Sequence, residues 1–143
     1  MHATRLPMKL DLPDDARVTF LTGAGVSVAS GIRPFRGPGG IWEEIDPGQW
    51  ATAEVMRRDP AKCWRAHLEL ARIVARSEPN PAHAAIVALE RRLGRGRVTV
   101  ITQNVDALHG RAGTRNVIEV HGSLGTVRCT DDACGGADGP APD

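Results

Sequence analysis

A doubly wound α/β domain is the fold class predicted for this chain, and three features of its 143 residues predict it. Two nearly identical apolar runs, RVTFLT at 17–22 and RVTVIT at 97–102, read as buried strands of a parallel sheet. Helical periodicity fills the interval between them, and a third short run, NVIEV at 116–120, follows the second. The first run ends in a glycine-rich turn, at the strand end where sheets of this class bind their ligands.

Taken in order, residues 1–16 read as a mobile leader, because Pro7 and Pro13 discourage regular structure. After the first strand comes a long glycine-rich loop from Gly23 to about Pro47. A helix then starts at Pro60, which is well placed at a first helical position after Asp59. Its stripe of Cys63, His67, Leu70 and Val74, widened by Trp64, Leu68 and Ala71, predicts burial on a broad face. A second helix carries Ala82, Ile86, Leu89 and Leu93, and Gly94 and Gly96 close it. Val105–Gly110 predicts a short helix ahead of the third strand. Beyond His121 the chain turns small, polar and loop-like, with Cys129 and Cys134. The three strand ends therefore carry Gly23, Gln103 and His121.

Composition narrows the function. Hydrophobic residues make 41% and charged residues 24%, an ordinary globular balance. The net charge of +1 gives no electrostatic argument for nucleic acid or an anionic membrane. No apolar run approaches the ~20 residues of a membrane span, and the N-terminus has no signal-peptide core. Three cysteines do not make a secreted disulfide framework, so a reducing cytoplasm is the expected compartment.

The strand ends carry the chemistry. Gly23-Ala24-Gly25-Val26-Ser27-Val28 satisfies two of the three glycines of a dinucleotide fingerprint, with Val28 in the third place. Backbone N–H groups at such a turn can approach a pyrophosphate and Ser27 adds a hydroxyl, but a bare tight turn fits the same residues. It is not a P-loop, since no G-K-[ST] follows. Arg33 and Arg36 bracket Phe35, which suits charge neutralisation beside a flat ring, while Trp42 reads as the anchor of the loop in the core. Gln103, Asn104 and Asp106 place amides and a carboxylate where sugar hydroxyls and a carboxamide can be bound, and Asp106 can equally cap the short helix. His109 faces outward or packs locally. His121, at a strand end before Gly122, is placed to act as a general base near neutral pH.

Three ordered segments, GAGVSVASGIRPFRGPGGIW, TQNVDALHGRAG and EVHGSLGTVRC, resemble the signatures of the sirtuins, NAD-dependent protein deacylases, and most resemble the bacterial branch. PNPAHAAIVAL is similar to a helix motif of the same family, and the match runs from about Val18 to Cys134. The resemblance implies a Rossmann-like parallel sheet, incomplete here, spanning 17–143 and including the start of a small zinc-ribbon module at about 124–143. It implies that the segment Gly23–Trp42 holds NAD, with Ala24, Gly25 and Ser27 at the phosphates and Phe35 and Arg36 in a flexible cofactor loop. Gln103, Asn104 and Asp106 then match the residues around the nicotinamide ribose and carboxamide, and Asn104 joins His121 in the catalytic set. His121 matches the catalytic base. The implied reaction moves an acyl group from a protein lysine to ADP-ribose and releases nicotinamide, so NAD is consumed. Partners are then NAD and an acyl-lysine protein or peptide, with no nucleic acid and no membrane.

Departures from the family pattern carry expectations of their own. Pro34 stands where the family usually has Asp or Thr. His67 and Leu70 fall where desuccinylase-like members carry Tyr and Arg, which implies an acetyl or other uncharged acyl group. Zinc in the family is held by two cysteine pairs. Cys129 and Cys134, at C-x4-C, supply one pair, so an incomplete zinc site is expected, as is a truncated and weakly active chain. Two other readings stand beside the deacylase: a sirtuin-like NAD hydrolase or ADP-ribosyltransferase, and an inert NAD-binding module.

Overall fold

The computed structural model describes residues 11–44, 46–49, 52–136 and 138–140. Three parallel strands, β1 (Val18–Thr22), β2 (Val98–Thr102) and β3 (Val117–Glu119), form one sheet in that spatial order. Their register pairs Leu21 with Ile101 and Ile101 with Ile118. The ladder continues past the strands, as Gln103 N donates to Thr22 O at 3.0 Å and Val120 N to Thr102 O at 3.0 Å. The carboxyl ends of all three strands are thereby held side by side.

Alternation decides which side chains meet the core. Val98 and Val100 of β2 are fully buried, with Val18, Phe20 and Val117 packed beside them. Helix α3 (Pro81–Leu93) lays Ile86, Leu89 and Leu93 on that layer. Each such side chain contributes about 1.5–3 kcal/mol by leaving water. Asn80 caps α3 and Pro81 occupies its first turn, while Gly94 ends it at φ 94°, the closing residue that the sequence pattern predicts.

Elsewhere the structure corrects the expected elements. The turn after β1 is neither an open loop nor an α-helix but a seven-residue 3-10 helix, Ala24–Ser30, closed by Gly31 at φ 85°. Short 3-10 turns follow at Ile41–Glu43 and Pro47–Gln49. A short α1 (Ala53–Arg58), capped by Thr52, was not evident from periodicity because six residues are too few to show a stripe. Helix α2 (Pro60–Arg76) has the expected bounds but not the broad buried face. Only Cys63 is buried there, while Trp64 is 37% and Ile73 48% exposed, because among the described residues little packs over its flank.

The short helix begins later than expected, as α4 (Leu108–Ala112), since Asp106 and Ala107 form the turn that leads into it. The tail is not wholly loop: β4 (Thr126–Val127) pairs antiparallel with β5 (Gly139–Pro140). Most of the expected leader lies outside the described residues. Leu12, within its described end, accepts a hydrogen bond from Arg92 Nη2 at 2.7 Å.

Candidate functional site

A buried polar network sits under the joined strand ends. Ser27 Oγ donates to Asp106 Oδ2 at 2.7 Å and accepts from Asn104 Nδ2 at 3.0 Å, bringing together residues 79 and 77 positions apart. Thr102 Oγ1 accepts from Asn104 N at 3.1 Å, and Asp106 Oδ1 accepts from Leu108 N at 2.9 Å. Ser27, Thr102, Asn104 and Asp106 are all buried. These four bonds tie the residues together and restrict their rotamers. Ala107, between this network and α4, holds φ 56°, a left-handed conformation that costs an alanine ~1–2 kcal/mol.

The network lines a narrow cavity whose other walls include Ala24, Ile32, Phe35, Leu70 and Leu124. Leu124 reaches it because its N–H donates to Val105 O at 2.9 Å, folding the segment after β3 over the Gln103–Asp106 turn. Glu119, half-buried at the end of β3, has its carboxyl pushed above the usual range by burial and by Asp106. Gln103 is exposed, and so is His121, two residues beyond β3. The structure thus brings Ala24, Ser27, Phe35, Asn104 and Asp106 to one cavity. It leaves His121, Gln103 and the exposed Arg36 outside it.

Gly23 and Gly25 show what the crevice accommodates. Neither has a positive φ, and a Cβ added at either would touch nothing within 4 Å. Among the described residues no backbone or packing constraint calls for glycine there, so the bare backbone faces open space at the strand ends. That fits a pyrophosphate seated on N–H groups. Gly40 is different: its Cβ would lie 2.8 Å from Gly37 O, so the loop itself requires glycine there. Arg33, expected near a phosphate, is a wall of the network cavity and also grips Glu44 through two bonds of 3.1 and 2.7 Å. Trp42 lies in the Ile41–Glu43 turn, and its side chain is outside the described residues.

The acyl-pocket pair is divided. Leu70 faces the network cavity, whereas His67 lines a neighbouring apolar cleft of about 160 Å³ with Trp64, Leu68 and Leu124. His67 Nδ1 lies 2.8 Å from Cys63 O and 3.6 Å from Cys63 Sγ, so the imidazole is occupied within its own helix. Leu124 is a wall of both spaces.

Some residues that support the site carry no expected site role. Asn80 Nδ2 donates to Val26 O at 2.7 Å and to Ser30 Oγ at 2.9 Å, tying the 3-10 helix to the cap of α3. Asn80 N donates to His83 Nδ1 at 3.2 Å, completing a capping box. His109 is buried by long-range contacts: its Nε2 lies 3.1 Å from Thr22 Oγ1 on β1, and its ring packs on His83. The pattern N-P-x-H is a capping signal legible in sequence. That the cap also holds the glycine turn is not legible there.

The two tail cysteines do not fit a closed zinc site. Among the described residues no group of three His, Cys, Asp or Glu converges, whereas structural zinc takes four ligands. Cys129 and Cys134 are exposed, and hydrogen bonds from the Asp131 backbone and the Cys134 thiol pull the Cys129 thiol below its usual value.

The family model described as Sir2 family matches residues 23–137. An NAD-dependent protein deacylase of Thermus thermophilus is 48% identical over 126 residues, covering 87% of this chain and 49% of its relative. The mitochondrial NAD-dependent protein deacylase sirtuin-5 of Danio rerio is 47% identical over 120 residues, covering 82% of this chain and 39% of its own. Among solved structures, a Sir2 homologue mutant in complex with ADP-ribose superposes with a TM-score of 0.79 at 42% identity, over 90% of this chain and 50% of that one. A Sir2 homologue–NAD complex gives 0.74 at 42% identity, over 90% and 48%. The chain spans about half the length of these relatives.

Proposed function

The chain belongs to the Sir2 family, and from that premise we propose that it forms the NAD-holding part of an NAD-dependent protein-lysine deacylase. The observation that carries this reading is the buried Ser27–Asn104–Asp106 network under a strand-end crevice whose glycines leave open space. In this reading the backbone of Gly23, Ala24 and Gly25 receives the pyrophosphate, with Ser27 supporting it from below. Phe35 and Arg36 flank the cofactor, and Gln103, Asn104 and Asp106 orient the ribose and carboxamide. NAD, when bound, supplies the glycosidic bond whose cleavage releases nicotinamide and opens the ribose to the acyl oxygen. A network already hydrogen-bonded costs nothing to reorganise during that step. His121 takes a proton from a ribose hydroxyl in the later acyl transfer.

Leu70 sets the acyl class. It presents an alkyl wall to the cavity, and Arg33, which also lines that cavity, is already paired with Glu44. A carboxylate beside Leu70 would meet no cation on α2 and would compete with Glu44 for Arg33, so the substrate carries an uncharged acyl group on a lysine of a protein or peptide. No described helix is long and apolar enough to cross a membrane.

Calorimetric titration of the chain with NAD, followed by assay of nicotinamide release with an acetyl-lysine peptide, tests the proposal. Weak NAD binding is expected, with Asn104→Ala lowering affinity by about tenfold, equivalent to ~1.4 kcal/mol. His121→Ala is expected to leave NAD affinity unchanged while abolishing the acylated ADP-ribose product. Free ADP-ribose with no acylated product makes the protein an NAD hydrolase, and NAD binding with no nicotinamide release makes it a binding module. Failure to bind NAD overturns the reading altogether.

A further inference from the structure

The capping box at the head of α3 places an imidazole where a carboxylate or an amide commonly stands. His83 Nδ1 accepts the Asn80 N–H at 3.2 Å, so in the neutral ring the proton sits on Nε2, which has no partner among the described residues. The ring is fully buried, and an added proton has one place to go: Nδ1, the atom that holds Asn80. Asn80 in turn gives its side-chain amide to Val26 O at 2.7 Å and Ser30 Oγ at 2.9 Å. One hydrogen bond therefore stands between a titratable ring and the residue that fastens the glycine turn.

The groups around His83 hold it neutral. The His109 ring of α4 lies 4.7 Å away between centroids, tilted by 59°, with its Nε2 3.1 Å from Thr22 Oγ1 at the end of β1. Asp106, on the turn before α4, draws a proton toward both rings, but its oxygens already accept from Ser27 Oγ and Leu108 N. Glu119 of β3 bears on Asp106, while Glu78, ahead of α3, and Arg111 of α4 pair with each other at 3.2 Å. Burial outweighs Asp106 and pushes the His83 imidazole below its ordinary value.

We propose that His83 is a positioning residue of the cofactor turn, acting through Asn80, and that a proton entering at its Nδ1 unfastens Ala24–Ser30 and weakens NAD binding. The NAD clause rests on the function proposed above. No covalent bond to carbon changes: the proton comes from solvent as the cap opens, the Asn80 N–H gives up Nδ1, and the grip on Val26 and Ser30 loosens with it. Once opened, the ring takes up its proton at the ordinary value of 6.5. The turn is thus held above that pH, and each unit below it makes opening about tenfold more frequent.

The test is hydrogen exchange without NAD, corrected for intrinsic rates, at the Val26, Gly31 and Ile32 amides, which bond Gly23 O, Val28 O and Ser27 O. Relative to Val100 of β2, their protection should fall about tenfold between about pH 7.5 and about pH 5.5. His83→Gln keeps an acceptor for the Asn80 N–H but does not titrate, so its turn should respond to pH no more than Val100 does. By calorimetry, NAD affinity should fall about tenfold over the same range in the wild type and stay level in the variant. Nitrogen-15 NMR of the wild type, which needs no variant to fold, should show a neutral His83 with Nδ1 bare and Nε2 protonated at about pH 7.5. A proton on Nδ1 at that pH, a pH-indifferent turn in the wild type, or a His83→Gln turn as pH-sensitive as the wild type overturns the proposal. A turn that responds as expected in a chain that binds no NAD supports His83 as its fastening and overturns the functional reading instead.

Discussion

His83 and His109 sit ring against ring beneath the end of β1, their centroids 4.7 Å apart and both fully buried. His83 Nε2 and His109 Nδ1 have no hydrogen-bond partner among the described residues. Burial pushes both imidazoles below the ordinary value of 6.5, and for His109 the neighbouring His83 pushes further, while Asp106 pulls each partly back. The unfolded chain therefore binds more protons than the native one as pH falls below about 6.5. Stability is fully present above that value and is lost as pH falls toward the folded values. Glu119 has the opposite sign, its raised folded value acting in the range above 4.5. Urea midpoints measured from about pH 7.5 down to about pH 5 should fall steadily, and a flat profile would show that neither histidine is held neutral. The sequence leaves His109 either outward or packed, because one imidazole in a short segment has no periodicity to place it. Only the approach of Thr22 from 87 positions away makes it buried.

At the scale of elements, Asn80 is where a helix cap and a cofactor turn become one structure. Its Oδ1 accepts from Ala82 N at 2.9 Å, while its Nδ2 holds Val26 O and Ser30 Oγ of the 3-10 helix. Asn80→Ala removes both functions and should destabilise the chain by ~1–2 kcal/mol, read as a lower urea midpoint. Asn80→Asp keeps the cap acceptor but sets an oxygen against Val26 O. It should leave α3 intact while amide exchange quickens selectively across Ala24–Ser30. Equal exchange in the aspartate variant and the wild type would remove Asn80 from any role in holding the turn. Strand and helix positions were legible here because β-branched runs and helical periodicity are local signals. The 3-10 conformation was not, because glycine and serine at a strand end permit several turns. The tertiary bonds from Asn80 and Asp106 select one of them.

For the whole molecule, the consequential feature is the face of the sheet away from α3. Leu21 is 74% exposed, Ile118 49% and Val120 49%, and Leu21, Ile101 and Ile118 stand in register across the three strands. Parallel sheets are ordinarily covered on both faces, so this stripe is expected to drive association of the isolated chain. The chain should bind an apolar dye such as anilinonaphthalene sulfonate and self-associate in light scattering. Leu21→Lys with Ile118→Lys should reduce both signals, and a dye-silent monomeric wild type would count against the stripe. The strand runs, the two long helices and the membership of the Sir2 family were all readable from the sequence, because each rests on local patterning or on short ordered motifs. So were Ser27, Asn104 and Asp106 as candidates, but not their mutual hydrogen bonds, nor the separation of His67 from Leu70. Those depend on parallel register, which joins strand ends some 80 positions apart, as the Thr22–Thr102 pairing does. Patterning determines which residues seek the core, whereas which polar groups meet beneath a ligand is decided only when the strands are set side by side.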